Sequence, residues 1–129
     1  MSSYGREFGW LDPILADPAT PLETVEWTLV AADPGGALGY AAVTANHLEN
    51  LYVDPAAQGL GVGRALLRAV ETRLCDRFTR VTLRCLHANP DARRLYERQG
   101  YSVQEDQTVV LHGHPLVAWL MAKPLRRAP

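Results

Sequence analysis

The segment Leu51-Tyr-Val-Asp-Pro-Ala-Ala-Gln-Gly-Leu-Gly-Val-Gly-Arg-Ala-Leu-Leu67 carries the most informative pattern in this sequence. Its first three residues form a short apolar run that ends at Asp54-Pro55, because proline cannot donate a hydrogen bond into a strand ladder. Glycine then occupies alternate positions up to Gly63, so backbone N–H groups can approach a ligand closely. From Val62 the apolar residues recur at helical spacing. The segment therefore predicts a strand, a glycine-rich loop and a helix N-terminus, which is an arrangement that binds anions.

The spacing of the glycines indicates which kind of anion the loop binds. It matches neither the dinucleotide fingerprint G-x-G-x-x-G nor the P-loop G-x-x-x-x-G-K-[ST]. The pattern is Gln58-x-x-Gly-x-Gly63, and after a Leu-Tyr-Val-x-Pro strand it resembles the coenzyme A pyrophosphate loop of the GNAT N-acyltransferase family. The alternative is a plain glycine-rich turn before a surface helix. The resemblance implies that acetyl-CoA is the cofactor and that it contacts Leu51, Tyr52, Val53, Gln58, Gly59, Leu60, Gly61, Val62, Gly63 and Arg64.

Composition limits the remaining classes of function. The 129 residues are enough for one domain, and 47% hydrophobic with 21% charged residues is typical of a globular chain. A formal net charge of -1 gives no general reason to expect nucleic acid or an anionic membrane as partner. No apolar run approaches the ~20 residues of a membrane span. Without a secretory signal, we expect a cytoplasmic protein in which Cys75 and Cys85 are reduced thiols.

The order of predicted elements indicates an α+β fold. We expect residues 1–21 to form an irregular arm with a short helix near Trp10 to Leu15, residues 22–124 to form the domain, and residues 125–129 to form a tail. Alternation and turn signals predict a mixed, mostly antiparallel sheet with two flanking helices. The predicted strands are 23–31, 38–44, 47–53, 81–86, 101–104, 109–111 and 115–122, and the helices are 61–78 and a second one from Asn89 to Gly100.

A second motif, Asn89-Pro-Asp-Ala-Arg-Arg-Leu-Tyr-Glu-Arg-Gln-Gly-Tyr101, strengthens the resemblance. Asparagine is a good N-cap and proline suits the first helical position, so a helix starts here. The motif is similar to the N-x-x-A-x-x-x-Y-x-x-x-G-[FY] helix of the GNAT family, and the two motifs occur in the family order. The resemblance implies a GNAT-like sheet, from about Leu22 to Lys123, that splays at the cofactor cleft and pairs the pantetheine arm with residues 51–53.

The resemblance also assigns roles in catalysis. Asn89 caps its helix and reaches the pantetheine arm. Tyr96 matches the tyrosine whose hydroxyl lies near the thioester sulfur, where it is the general acid for the leaving thiolate. The alternative for Tyr96 is a packed core aromatic.

The sequence does not distinguish between three candidates for the general base. Many family members carry glutamate on the strand before the loop, and here that position is His47, whose imidazole has an ordinary pKa of about 6.5. Glu49, two residues on, is expected on the same face and either orients His47 or is itself the base. Bound water is the third alternative. We predict no metal site, because His112 and His114 have no carboxylate or cysteine close by in sequence.

The region before the first hairpin is shorter than in the family, which usually has a strand and two helices there. We therefore expect an open acceptor cleft, suited to a peptide or protein, or a homodimer with a shared site. The predicted function is transfer of an acetyl group from acetyl-CoA directly to a primary amine of a small molecule, peptide or protein. The alternatives are a non-catalytic acyl-CoA-binding module and a nucleotide-binding protein.

Overall fold

A computed structural model describes residues 26–126 and the backbone of residues 8–10. Its elements in chain order are β1 (Phe8–Trp10), β2 (Trp27–Asp33), β3 (Gly36–Thr44), β4 (His47–Val53), α1 (Val62–Leu74), β5 (Arg80–Leu86), α2 (Pro90–Arg98), β6 (Ser102–Leu111) and β7 (His114–Pro124). The strands form one sheet in the order β1-β2-β3-β4-β5-β7-β6, in which β4 and β5 are parallel and the other described neighbours are antiparallel. The predicted α+β class is confirmed.

Local turn chemistry forms the two N-terminal hairpins. The backbone N–H of Gly35 donates to Asp33 Oδ1 at 2.8 Å in the first turn, as the Asp-Pro-Gly-Gly sequence predicts. The second turn places Ala45 at a φ of 51°. Strand β4 has the predicted bounds. Helix α1 ends at Leu74 instead of the predicted Phe78, and the two segments predicted at 101–104 and 109–111 are one strand, β6.

The hydrophobic core lies between the sheet and α1, which buries Val62, Ala65, Leu66, Leu67, Val70 and Leu74 against β2, β3 and β4. Alternate residues of β5, including Leu83 and Cys85, are buried in the same core. We call this side of the sheet the helix face and the opposite side the far face. The intervening residue Arg84 is exposed and points to the far face.

The sheet splays between its two central strands, as the resemblance implies. Strands β4 and β5 pair only at His47↔Thr82 and Leu48↔Leu83, although β4 runs on to Val53. The pairing of β4 with β3 shifts by one residue at the same point, which leaves Glu49 as a β-bulge. The splay therefore opens where the bulge begins.

The predicted helix in the N-terminal arm falls outside the described residues, except for Trp10, which ends the edge strand β1. No helix in the described part of the chain has the length and hydropathy needed to span a membrane.

Candidate active site

The glycine-rich loop connects β4 to α1 through a short 3₁₀ helix, Pro55–Ala57. Asp54 begins that helix by accepting a hydrogen bond from the N–H of Ala56 at 2.8 Å. Gly59 and Gly61 then adopt positive φ angles of 84° and 80°, which other residues rarely adopt. Gly61 is the N-cap of α1, and it has no side chain with which to cap the first N–H groups of that helix. A helix start after such a turn fits a diphosphate.

Gly63 lies on the buried side of α1. A Cβ at this position would lie 3.6 Å from Val53 Cγ2 and 3.4 Å from Leu95 Cδ2, which are ordinary van der Waals distances. Unlike Gly59 and Gly61, Gly63 is therefore not required by the backbone conformation or by the packing.

A cleft of about 260 Å³ occupies the splay between β4 and β5. β4 pairs with β3 along its other edge, and beyond Leu48 no strand in the described part of the chain pairs with the edge of β4 that faces the cleft. This edge fits an extended chain with amide groups, such as pantetheine. The lining residues are Leu48, Glu49, Asn50, Leu51, Leu83, Arg84, Cys85, Leu86, Asn89, Ala92 and Tyr96.

Helix α2 positions Tyr96 in the cleft wall. Asn89 Oδ1 accepts a hydrogen bond from the N–H of Ala92 at 3.2 Å, and Pro90 follows at the first helical position, so the predicted N-cap is confirmed. Tyr96 is the buried residue of this helix and packs edge-on against Tyr101, with ring centroids 5.9 Å apart. Burial, and secondarily Cys85, raise the pKa of the Tyr96 hydroxyl, which therefore stays protonated at neutral pH.

His47 and Glu49 lie side by side at the far-face mouth of the cleft, with Nε2 and Oε1 3.8 Å apart. His47 Nδ1 is 2.7 Å from Thr82 Oγ1, and Arg84 Nη1 donates to Nε2 at 3.5 Å. Burial lowers the pKa of His47, Glu49 partly offsets this, and the charge of Arg84 lowers it further. The imidazole is therefore neutral near pH 7. Glu49, but not His47, is among the described residues that line the cleft.

Sequence reasoning missed Arg84 and its partner Gln107. Arg84 Nε donates to Gln107 Oε1 at 2.8 Å, and Gln107 Nε2 donates to Glu105 Oε2 at 2.9 Å. The first residue is in β5 and the other two are in β6, which are separated by β7 in the sheet. No sequence motif marks this network, because it depends on the register of β6 against β7.

The remaining histidines lie elsewhere. His112 and His114 are exposed residues at the β6–β7 turn. His87 is 3.2 Å from Asp106 and stacks on Trp119, with ring centroids 4.2 Å apart. No group of three or more histidine, cysteine, aspartate or glutamate residues that could hold a metal occurs in the described ranges.

Comparison with known proteins identifies the family. Residues 25–103 match the family described as "Acetyltransferase (GNAT) domain". The mycothiol acetyltransferase of Acidothermus cellulolyticus is 38% identical over 104 residues, covering 71% of this chain and 31% of that protein. The corresponding enzyme of Salinispora arenicola is 36% identical over 104 residues, covering 75% and 32%. The chain thus spans about a third of the length of these curated relatives.

Solved structures give the same result. A GNAT superfamily phosphinothricin acetyltransferase from Sinorhizobium meliloti, in complex with AcCoA, is 28% identical with a TM-score of 0.63, covering 77% of this chain and 60% of that one. A nourseothricin acetyltransferase is 25% identical with a TM-score of 0.71, covering 86% and 74%. These matches confirm the resemblance seen in the two motifs. The chain belongs to the GNAT acetyltransferase family, whose members use acetyl-CoA.

Proposed function

We propose that this protein transfers the acetyl group of acetyl-CoA directly to a primary amine, with residues 22–124 as the acyltransferase domain. The observation that carries the proposal is the cleft between β4 and β5, which Tyr96 lines from the helix face and Glu49 from the far face. A thioester that entered along β4 would have an acid on one side and a carboxylate on the other. Direct transfer needs this arrangement, because the thiolate gains a proton while the amine loses one.

The loop and the strand edge would hold the donor. Backbone N–H groups between Gln58 and Arg64 bind the diphosphate, helped by the positive end of α1. The free edge of β4 at Leu51 to Val53 pairs with the amides of the pantetheine arm. Asn89 lines the same cleft, and its amide nitrogen is available for the arm because its Oδ1 caps α2. Acetyl-CoA itself supplies an acyl group activated as a thioester.

In the proposed reaction the amine nitrogen forms a bond to the thioester carbonyl carbon, and the carbon–sulfur bond breaks. Tyr96 gives its hydroxyl proton to the leaving thiolate. Its raised pKa keeps that proton in place until the thiolate forms. The ammonium group of the acceptor gives up one proton to Glu49 before attack, and the nitrogen loses a second proton as the amide forms. That second proton restores the Tyr96 hydroxyl through solvent, and Glu49 releases its proton to solvent.

Glu49 is a better candidate for the base than His47. Glu49 lines the cleft, whereas Nε2 of His47 already accepts a hydrogen bond from Arg84. The lowered pKa of His47 also makes its imidazole a weaker base. We therefore assign His47 to positioning: its Nδ1 contacts Thr82 and its Nε2 lies beside the Glu49 carboxylate.

A thiol-release assay with acetyl-CoA and a panel of amines tests this function. Tyr96→Phe and Glu49→Gln should each lower kcat about a hundredfold or more, since positioned acids and bases contribute that much. The matched controls are Tyr101→Phe, whose hydroxyl bonds Glu71 outside the cleft, and Glu97→Gln, whose carboxylate pairs with Arg93 on the surface of α2. Both controls should keep kcat within about threefold.

Three results would contradict the proposal. If the protein binds acetyl-CoA tightly but releases no thiol with any amine, the alternative of a non-catalytic acyl-CoA-binding module would be supported. Unchanged kcat in Tyr96→Phe and Glu49→Gln would place the chemistry elsewhere. Stronger protection against melting by ATP than by coenzyme A would instead support the nucleotide-binding alternative.

A further inference from the structure

An arginine at the far-face mouth of the candidate cleft has no carboxylate partner in the described part of the chain. Arg84 is exposed, sits between the buried residues Leu83 and Cys85, and lines the same cleft as Glu49 and Tyr96. Among the described residues, no aspartate or glutamate lies within ion-pair distance of its guanidinium. A positive charge placed beside the reacting groups is therefore available to a ligand.

Neutral partners hold this guanidinium in place. Its Nε donates to Gln107 Oε1 at 2.8 Å, and its Nη1 donates to His47 Nε2 at 3.5 Å. The orientation of Gln107 is set in turn, because its amide nitrogen donates to Glu105 Oε2 at 2.9 Å. A guanidinium has more N–H donors than these two partners can accept, and it binds carboxylates through two parallel hydrogen bonds. The arrangement fixes the side chain and leaves donors unused.

Opposite charges thus flank one histidine. Glu49 Oε1 and Arg84 Nη1 lie 3.8 and 3.5 Å from the same nitrogen of His47, yet the two side chains form no ion pair with each other. His47 is neutral and separates them. At the mouth of the cleft, the Glu49 carboxylate can therefore accept hydrogen bonds from an ammonium group. Next to it, the Arg84 guanidinium can donate hydrogen bonds to an anion.

We propose that the acceptor is a free amino acid or a close analogue, with its ammonium group at Glu49 and its carboxylate at Arg84. The inference rests on the proposed function and names the substrate class of the same site. A carboxylate is favoured over other anions because it is planar and matches the guanidinium fork. A peptide N-terminus or a simple diamine has no carboxylate beside the reacting amine and leaves Arg84 unpaired.

The test compares each amino acid with the amine that lacks its carboxylate. Suitable pairs are alanine with ethylamine, phenylalanine with phenethylamine, and lysine with cadaverine, with rates corrected to the concentration of unprotonated amine. The wild-type kcat/KM should be at least about tenfold higher for the amino acid than for the matched amine, because a charge-assisted hydrogen bond to Arg84 contributes about that factor. A ratio near one, or activity confined to diamines or peptide N-termini, would overturn the inference.

Variants locate the preference at Arg84. In Arg84→Gln the ratio should fall about tenfold or more through a higher KM for the amino acid, and in Arg84→Lys, which keeps the charge but not the fork, it should fall less. Arg98→Gln removes the same charge from the exposed end of α2, outside the cleft, and should keep the wild-type ratio. An unchanged ratio in Arg84→Gln would refute the assignment. Thermal unfolding of Arg84→Gln and Arg84→Lys measures whether both variants have lost the same amount of stability.

A binding experiment separates this inference from the proposed function. Calorimetric titration of N-acetylalanine into the coenzyme A-loaded protein measures recognition of the carboxylate without turnover. Binding to the wild type that weakens about tenfold in Arg84→Gln would support the carboxylate site even if no amine were acetylated. If the active enzyme binds N-acetylalanine no better than N-acetylethylamine, the proposed acetyl transfer stands but the carboxylate site at Arg84 is excluded.

Discussion

Replacing Gly39 with alanine should disturb the strand that leads into the glycine-rich loop. Gly39 lies in β3 opposite Val53 of β4. A Cβ at this position would lie 2.5 Å from the carbonyl oxygen of Tyr52, and 3.2 Å from both Val53 Cα and Val62 Cγ1. Since the closest atoms belong to the backbone, no change of rotamer relieves the contact. Strand β4 or the start of α1 must move.

The expected loss follows from the cost of overpacking a well-packed interior, about 1–3 kcal/mol. For a domain of this length, about 4 °C of melting temperature is lost for each kcal/mol. Thermal unfolding followed by circular dichroism should therefore show a decrease of about 4–12 °C. Because Tyr52 and Val53 border the proposed cofactor site, the KM for acetyl-CoA should rise as well.

Gly63→Ala is the matched control. Here the added Cβ meets Leu95 Cδ2 at 3.4 Å and Val53 Cγ2 at 3.6 Å, which are ordinary van der Waals contacts. Alanine also favours the helix by up to about 1 kcal/mol over glycine. The melting temperature of Gly63→Ala should stay unchanged or rise. The reasoning is refuted if Gly39→Ala is as stable as the wild type, or if the two variants lose stability equally.

Two further predictions concern the cap of α2 and the histidine of β4. Asn89→Ala should lose about 1 kcal/mol of stability, while Asn89→Asp, which keeps the capping oxygen, should lose less; equal losses in chemical denaturation would count against the cap. The pKa of His47 lies below its unfolded value of 6.5, so between these two values the unfolded chain binds a proton that the folded chain does not. The contribution of neutral His47 to the free energy of unfolding is therefore fully present above pH 6.5, and it is lost as the pH falls from 6.5 through the lower pKa of the folded state. The melting temperature of His47→Gln should consequently fall less than that of the wild type from pH 7 to pH 5, and parallel pH curves would contradict this.

The sequence predicted those parts of the fold that neighbouring residues determine. The Asp33 turn, the bounds of β4 and the Asn89 cap each depend on residues within a few positions of one another, and all three are observed. The end of α1 shows the limit of such reasoning. Phe78 continues the apolar spacing, and its N–H still bonds to the carbonyl of Leu74 at 2.9 Å, but the residues between them form turns. Periodicity alone does not distinguish the last turn of a helix from the turn that follows it.

The sequence predicted His47 and Glu49 on one face, but it could not predict the partners of Arg84, because a bulge in β6 places them there. Glu49 is the extra residue where β4 shifts its register against β3, and in this second bulge Gln104 is the extra residue where β6 shifts against β7. A shift of one residue moves every later side chain to the other face of the sheet. Without the second bulge, Gln104 would lie opposite Leu120 and Gln107 would turn away from Arg84.

The same bulge accounts for the pair on the helix face. It places Asp106 opposite Trp119, where its carboxylate reaches His87, while Glu105 and Gln107 turn to the far face. Deleting Gln104 would remove only this extra residue, because Val103 and Glu105 already pair with the consecutive residues Met121 and Leu120. Gln107 should then stay on the far face beside Arg84, and the amino acid preference proposed for the cleft should be kept. A deletion variant that folds but loses this preference would show that Gln107 alone does not hold Arg84 in position.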